Sequence, residues 1–190
     1  MTLLIIGLIL FFATHSIRIV AEPLRAGMVA RLGEWGYKGV YGLVALLGLV
    51  LIIIGYGQAR LEPVLLYQPP AGLRHLNMLL MLFVFPALLA AYLPGRIQAT
   101  LKHPMLVAVK LWALSHLLVN GTLADVLLFG GFLAWAVIDR ISVKKRDSGP
   151  SVQLPQGKLN DLIVIVGGLA LYVAFAFWLH PILIGVPAVG

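Results

Sequence analysis

The sequence predicts an all-α fold, a polytopic transmembrane helical bundle of about six helices, and three observations predict it. The 190 residues are 61% hydrophobic and only 11% charged, with a mean hydropathy of +1.01, far above what a water-soluble core and surface produce together. The apolar residues gather in windows of helical length, each matching the roughly 20 residues that one bilayer crossing needs. Short connectors rich in Gly, Pro and basic residues separate the windows. No stretch is left for a second soluble domain, so residues 1–190 read as a single membrane domain.

Six windows follow in order: 3–21, 38–57, 73–93, 104–120, 122–138 and 162–184. The first lacks a basic n-region and an A-x-A-type cleavage site, and reads as a retained helix, not a removed signal peptide. EPLRAGMVARLGEWG then reads as a loop before the second. The third is interrupted by Pro86, which frees a backbone carbonyl and predicts a kink. Pro104 suits the first turn of the fourth. Only Asn120 to Thr122 separate the fourth from the fifth, which predicts an antiparallel hairpin. Glycines 39, 42, 48, 55, 130, 131, 167 and 168 read as points of close helix–helix approach. No internal repeat is present.

The formal charge of +7 comes from basic residues clustered in short connectors, a topology signal and not a nucleic-acid surface. Connectors one–two, three–four and five–six hold most of them, which predicts a multi-pass protein of a bacterial cytoplasmic (inner) membrane with both termini outside the cytoplasm. Membrane lipids are the expected partners and nucleic acid is not; oligomeric state leaves no mark. The absence of cysteine removes thiolate iron–sulfur ligation, disulfides and covalent CxxCH haem attachment. Any metal centre must use His, Asp, Glu or Met.

Ionisable residues at membrane depth cost a few kcal/mol, about 2.5–3.5 for Lys or Arg on insertion scales, and mark where function is sought. His15, Arg18 and Glu22 are spaced i, i+3 and i+7, one face of the first helix, with Arg18 and Glu22 placed to pair. His103 and His116 lie on one helix but about 140° apart, so they cannot share a site. Trp112 and Asn120 fall four residues either side of His116 on its own face. Lys110 lies on the His103 face, too deep for easy snorkelling. His75 and His180 sit at helix ends as solvated interface residues, and Asp125 either partners one of them or caps the fifth helix. Two neutral imidazoles from different helices can ligate both axial positions of a b-type haem. Structural or proton-handling histidines read equally well from spacing alone.

The segments HSIR, RLGEWGYKGVYGLVALLGLVLIIIGYGQAR, KHPMLVAVKLWALSHLLVNG, FLAWAVIDRISVKKR and WLHPILIGVP resemble, in order and over nearly the full length, the bacterial NnrU family. That family is named for a gene found with nitrite and nitric-oxide reduction genes, so the resemblance implies an association with nitrogen-oxide metabolism (denitrification). The same family includes the plant and cyanobacterial 15-cis-zeta-carotene isomerase, which uses a b-type haem held by two histidines and acts on a lipophilic polyene. The resemblance places its first ligand on His15 and its second, closing a W-x-x-x-H run, on His116, with a looser alternative near His75. Arg18 would then meet a haem propionate and Trp112 would form part of the wall. A cysteine of that enzyme corresponds here to Ala113, a departure that bears on its redox or ligand chemistry and not on haem binding. The Lys102–His103–Pro104–Met105 segment also resembles the R-H-P-x-Y segment of isoprenylcysteine-type membrane methyltransferases. No acidic, glycine-rich cofactor segment follows it. A haem-dependent isomerase or redox enzyme, a haem or nitric-oxide handling protein without turnover, and a structural or assembly factor all remain open, and the catalytic residues are unassigned.

Overall fold

A bilayer offers no water to backbone N–H and C=O groups, so apolar segments satisfy them internally as helices. The computed structural model describes residues 1–145 and 157–188. Its helices are α1 (Thr2–Val20), α2 (Glu22–Ala59), α3 (Leu73–Met81), α4 (Val84–Ala90), α5 (Arg96–Leu101), α6 (Pro104–Leu117), α7 (Leu123–Asp125), α8 (Gly131–Lys145), α9 (Asn160–Ala174) and α10 (His180–Ile184). Single π-turns at Val126–Gly130 and Phe175–Leu179 join α7 to α8 and α9 to α10. Among the described residues five stretches are long and apolar enough to cross a membrane: Thr2–Val20, Glu22–Ala59, Leu73–Ala90, Leu123–Lys145 and Asn160–Ile184. The fourth expected window is shorter than its apolar sequence: α6 has 14 residues, a rise of about 21 Å. Part of the connector between windows five and six lies outside the described residues.

The helices group into two compact units, Met1–Gln68 with Asn120–Lys145, and Pro69–Val119 with the described part of Arg146–Gly190. In the first, α1 and α2 run antiparallel in close contact. A Cβ on Gly7 would stand 2.6 Å from the Ile52 nitrogen, one on Gly48 2.9 Å from the Phe11 nitrogen, and one on Gly55 would overlap the Leu4 backbone. Small residues let the two backbones approach, as packing within lipid requires. Gly39 and Gly42 have nothing within 4 Å at the Cβ position, so the close approach predicted there is absent. The α8 side of the unit is aromatic: Phe132 packs on Phe11 and Phe12 with centroids 5.3 and 5.0 Å apart, and Phe12 also fills the space over Gly131.

The connector expected as a loop before α2 is helical instead. The chain breaks at Ala21 (φ −141°, ψ 45°), restarts with Glu22 and Pro23 in the first turn, and is interrupted again by a kink at Gly33, whose backbone (φ 71°, ψ 168°) is not helical. Its Glu and Gly-rich punctuation reads as turn chemistry, but proline at the start of a helix is equally a start signal. After α2, residues 64–67 run extended along the short link 120–122. Leu65 bridges Thr122, the Leu66 and Leu123 amides donate to the Gly121 and Val64 carbonyls at 2.8 Å, and the Tyr67 hydroxyl donates to the Asn120 carbonyl at 2.7 Å. The Tyr67 carbonyl occupies the place a Gly121 Cβ would take.

In the second unit the break predicted at Pro86 falls one turn earlier, between α3 and α4 at residues 82–83, because the missing Pro86 N–H would have bonded the Leu82 carbonyl. The ring then packs on α9, where a Gly168 Cβ would lie 2.6 Å from Pro86. Val84, Ala87 and Ala108 form a buried cluster packed against Met81, Leu88, Leu101, Val107, Leu111 and Trp112. Asp161 at the start of α9 accepts from the Arg96 and Ile97 amides, both 3.1 Å away, and so caps α5, while the Asn160 side-chain amide donates to the Pro94 carbonyl at 2.9 Å. Lys102 turns the chain from α5 into α6 with φ 62°.

Candidate functional site

His15 lies two-thirds of the way along α1, half-buried, and its Nδ1 donates to the Phe11 carbonyl one turn back at 2.8 Å. A carbonyl can only accept, so Nδ1 carries the proton and Nε2 of the neutral ring carries the lone pair. Three aromatic rings surround the imidazole. Phe11 stacks on it at a centroid distance of 3.9 Å, Tyr41 of α2 meets it at 5.4 Å, and Trp135 of α8 stands perpendicular at 5.8 Å. The Trp135 indole N–H is buried with no hydrogen-bond partner among the described residues. Arg18 is exposed in the last turn of α1. Glu22 does not share its helix, because the break at Ala21 intervenes; Glu22 instead pairs with Arg25 at 2.9 Å.

His116 repeats the arrangement in the second unit. Its Nδ1 donates to the Trp112 carbonyl at 2.8 Å, and the Trp112 and His116 rings lie 5.4 Å apart. Helix α6 ends at Leu117, so Asn120 is not on the His116 face as helical phase predicted. It sits in the link, and its carbonyl serves Tyr67. The hydrogen bonds of His15 and His116 thus leave both rings in one tautomer, while the two residues belong to different units.

The remaining polar residues have local roles. His103 stands at the N-cap of α6 with Pro104 at N1, His75 is exposed on α3, and His180 Nδ1 donates to the Val186 carbonyl at 2.7 Å. Lys110 is half-buried on α6. Asp125 is 5% exposed and resolves the choice left open by spacing in favour of the cap. Its Oδ2 accepts from the Thr122 amide and hydroxyl at 2.9 and 2.6 Å, and its Oδ1 from the Tyr56 hydroxyl at 2.6 Å. Partial burial and the Asp125 carboxylate together raise the Tyr67 phenol above its ordinary pKa. Among the described residues no three of His, Asp and Glu gather to hold a metal ion. Tyr41 and Trp135 are the neighbours of His15 that spacing missed; Trp135 falls within FLAWAVIDR, but nothing in that segment aims it at α1.

Long apolar helices carrying much exposed aliphatic surface, with Ile9, Leu43, Ile53 and Val166 all more than half exposed, define a polytopic helical membrane protein. The family model described as NnrU protein matches residues 3–188. The chain therefore belongs to the NnrU family. No curated protein and no solved structure matches it.

Proposed function

We propose that this NnrU protein binds one b-type haem, with His15 and His116 as axial ligands, and serves nitrogen-oxide metabolism in a bacterial cytoplasmic membrane with both termini outside the cytoplasm. The observation that carries the reading is the shared tautomer. Each Nδ1–H is tied to the carbonyl one turn back, which orients the ring, raises its basicity and leaves Nε2 as the ligating nitrogen. The chain's own residues fit a planar, apolar, non-covalently held group: Phe11, Tyr41 and Trp135 wall one imidazole and Trp112 lies beside the other. The Trp135 N–H, without a partner among the described residues, supplies a donor for an acceptor on a bound group. A bound haem would supply one-electron chemistry; the two histidines would hold it, the aromatic wall would exclude water, and Arg18 would offer charge to a propionate.

Absorption spectra of detergent-purified protein, oxidised and reduced, test this for wild type, His15→Ala and His116→Ala. Wild type is expected to show the Soret and sharp reduced α bands of six-coordinate haem, and each substitution to abolish that signature. A protein with no Soret band after haem supplementation refutes haem binding; unchanged spectra in both variants refute the ligands. A periplasmic reporter fused after Gly190 is expected to be active, and activity of a cytoplasmic reporter instead overturns the orientation.

A further inference from the structure

The element the functional reading leaves unused is the first part of α2. Glu22–Ala59 is two helical parts that meet at a kink where Gly33 has non-helical φ and ψ, and the part after the kink, at 1.5 Å per residue about 39 Å long, already exceeds the roughly 30 Å hydrocarbon core. Residues 39–59 carry no charge and suffice to cross. They are also the part that zips antiparallel onto α1, through Gly48 and Gly55. Residues 21–38 therefore connect the ends of two crossing helices on the same side of the membrane. They hold every charge of α2: Glu22, Arg25, Arg31, Glu34 and Lys38.

This connector is neither a water-facing loop nor a core helix. Leu24, Met28 and Leu32 recur at i, i+4 and i+8, one stripe of a helix, and Leu24 is 58% exposed, Leu32 49% and Trp35 84%. Helical phase puts Arg25 and Arg31 on the two borders of that stripe. Past the bend at Gly33 follow Trp35, Tyr37 and Lys38, with Lys38 over the Trp35 ring at 5.0 Å and Arg25 over the Tyr37 ring at 5.8 Å. An apolar stripe bordered by arginines, with Trp and Tyr alongside, suits the layer where acyl chains meet phosphates. The left-handed φ of Gly33, which residues with a Cβ rarely adopt, lets the arm leave the direction of the crossing segment.

We propose that residues 21–38 form an interfacial arm that lies along the bilayer surface, its Leu24–Met28–Leu32 stripe in the acyl boundary and Arg25 and Arg31 on phospholipid phosphates. The cysteine-free chain makes the test clean. Single-cysteine variants of the full chain at Leu24, Met28 and Leu32, and at Ala26 and Ala30 on the opposite face, carry a nitroxide in vesicles of phosphatidylethanolamine and phosphatidylglycerol. Their accessibilities to oxygen and to a water-soluble nickel chelate are then compared. The oxygen-to-nickel ratio is expected to be several-fold higher at the three stripe positions than at Ala26 and Ala30. Equal, water-like ratios at all five positions overturn the proposal, as does protection of the stripe from both reagents, which would mean a protein partner covers it. A variant that fails to insert is replaced by the native-residue measurement, quenching of Trp35 in a chain with Trp112, Trp135 and Trp178 changed to Phe, by shallow-brominated lipid. Strong quenching supports the arm and none overturns it.

Discussion

The two units solve the same problem with different means. Each presents a histidine tied to the carbonyl one turn back, yet in the first unit two long helices are zipped backbone to backbone and three aromatic rings enclose the imidazole. In the second, α3 and α4 part at residues 82–83, one turn before Pro86, and polar side chains tie the start of α5 and the Pro94 carbonyl to α9. Unbroken helices need only small residues to associate; interrupted ones must find partners for each freed N–H and C=O.

The largest expected effect tests that difference at the histidines. In the haem reading, His15→Ala leaves a cavity whose walls, Phe11, Tyr41 and Trp135, stay in place, so free imidazole is expected to restore a six-coordinate spectrum there. Titrating that variant with imidazole and following the Soret band decides the matter, and an absence of rescue removes the aromatic chamber around His15.

Next come the zipped backbones. Gly55→Leu drives a side chain into the Leu4 backbone and is expected to cost about 3 kcal/mol, the upper end for overpacking, read as loss of folded protein in a thermal melt in detergent. Gly168→Leu, against Pro86, is expected to cost about as much. Gly42→Leu, with open space at its Cβ, is expected to change the melt little. A Gly42 effect matching Gly55 would show that glycine conformation, not helix contact, sets the penalty.

The caps follow. Asp125→Ala removes the acceptor for three donors in a site 5% exposed and is expected to destabilise by about 2–3 kcal/mol. Asp161→Ala unties the Arg96 and Ile97 amides at a partly exposed turn, for about 1 kcal/mol. Reversal of that order in chemical denaturation would make the partly exposed Asp161 cap of the second unit, not the buried Asp125 site of the first, the costlier one to lose.

Much of this architecture is legible in the residues. Every apolar window contains a helix, and Pro86 breaks one near where its missing N–H requires. The T-x-x-D spacing of Thr122 and Asp125 is that of a capping box, which is what forms. The i, i+4 spacing of Phe11 with His15 and Trp112 with His116 also anticipates their ring contacts. What stays hidden depends on tertiary approach. No pattern along the chain aims Trp135 or Tyr41 at His15, singles out Gly7 and Gly48 over Gly39 and Gly42, or shows that the Glu22 connector stays helical. The tautomer of each histidine is equally invisible until the carbonyl one turn back is seen to accept.

The smallest expected effect separates a cap from a network. In Tyr56→Phe the ring keeps its place beside Phe129, 6.3 Å away, and only the hydroxyl is lost, so Asp125 Oδ1 loses a 2.6 Å hydrogen bond while Oδ2 keeps both bonds from Thr122. A single bond to a charged acceptor contributes about 1.5–3 kcal/mol, and the two bonds that Oδ2 keeps from Thr122 lower the expected loss to about 1 kcal/mol. Thr122→Val removes the hydroxyl donor on the other oxygen and leaves the amide. If the two donors act through one carboxylate, the double variant is expected to lose more than the sum of the singles, because the buried charge then retains only the Thr122 amide among its three donors. Additive losses in a denaturant double-mutant cycle would instead make Tyr56 a packing residue, and Asp125 a simple helix cap like Asp161 of the other unit.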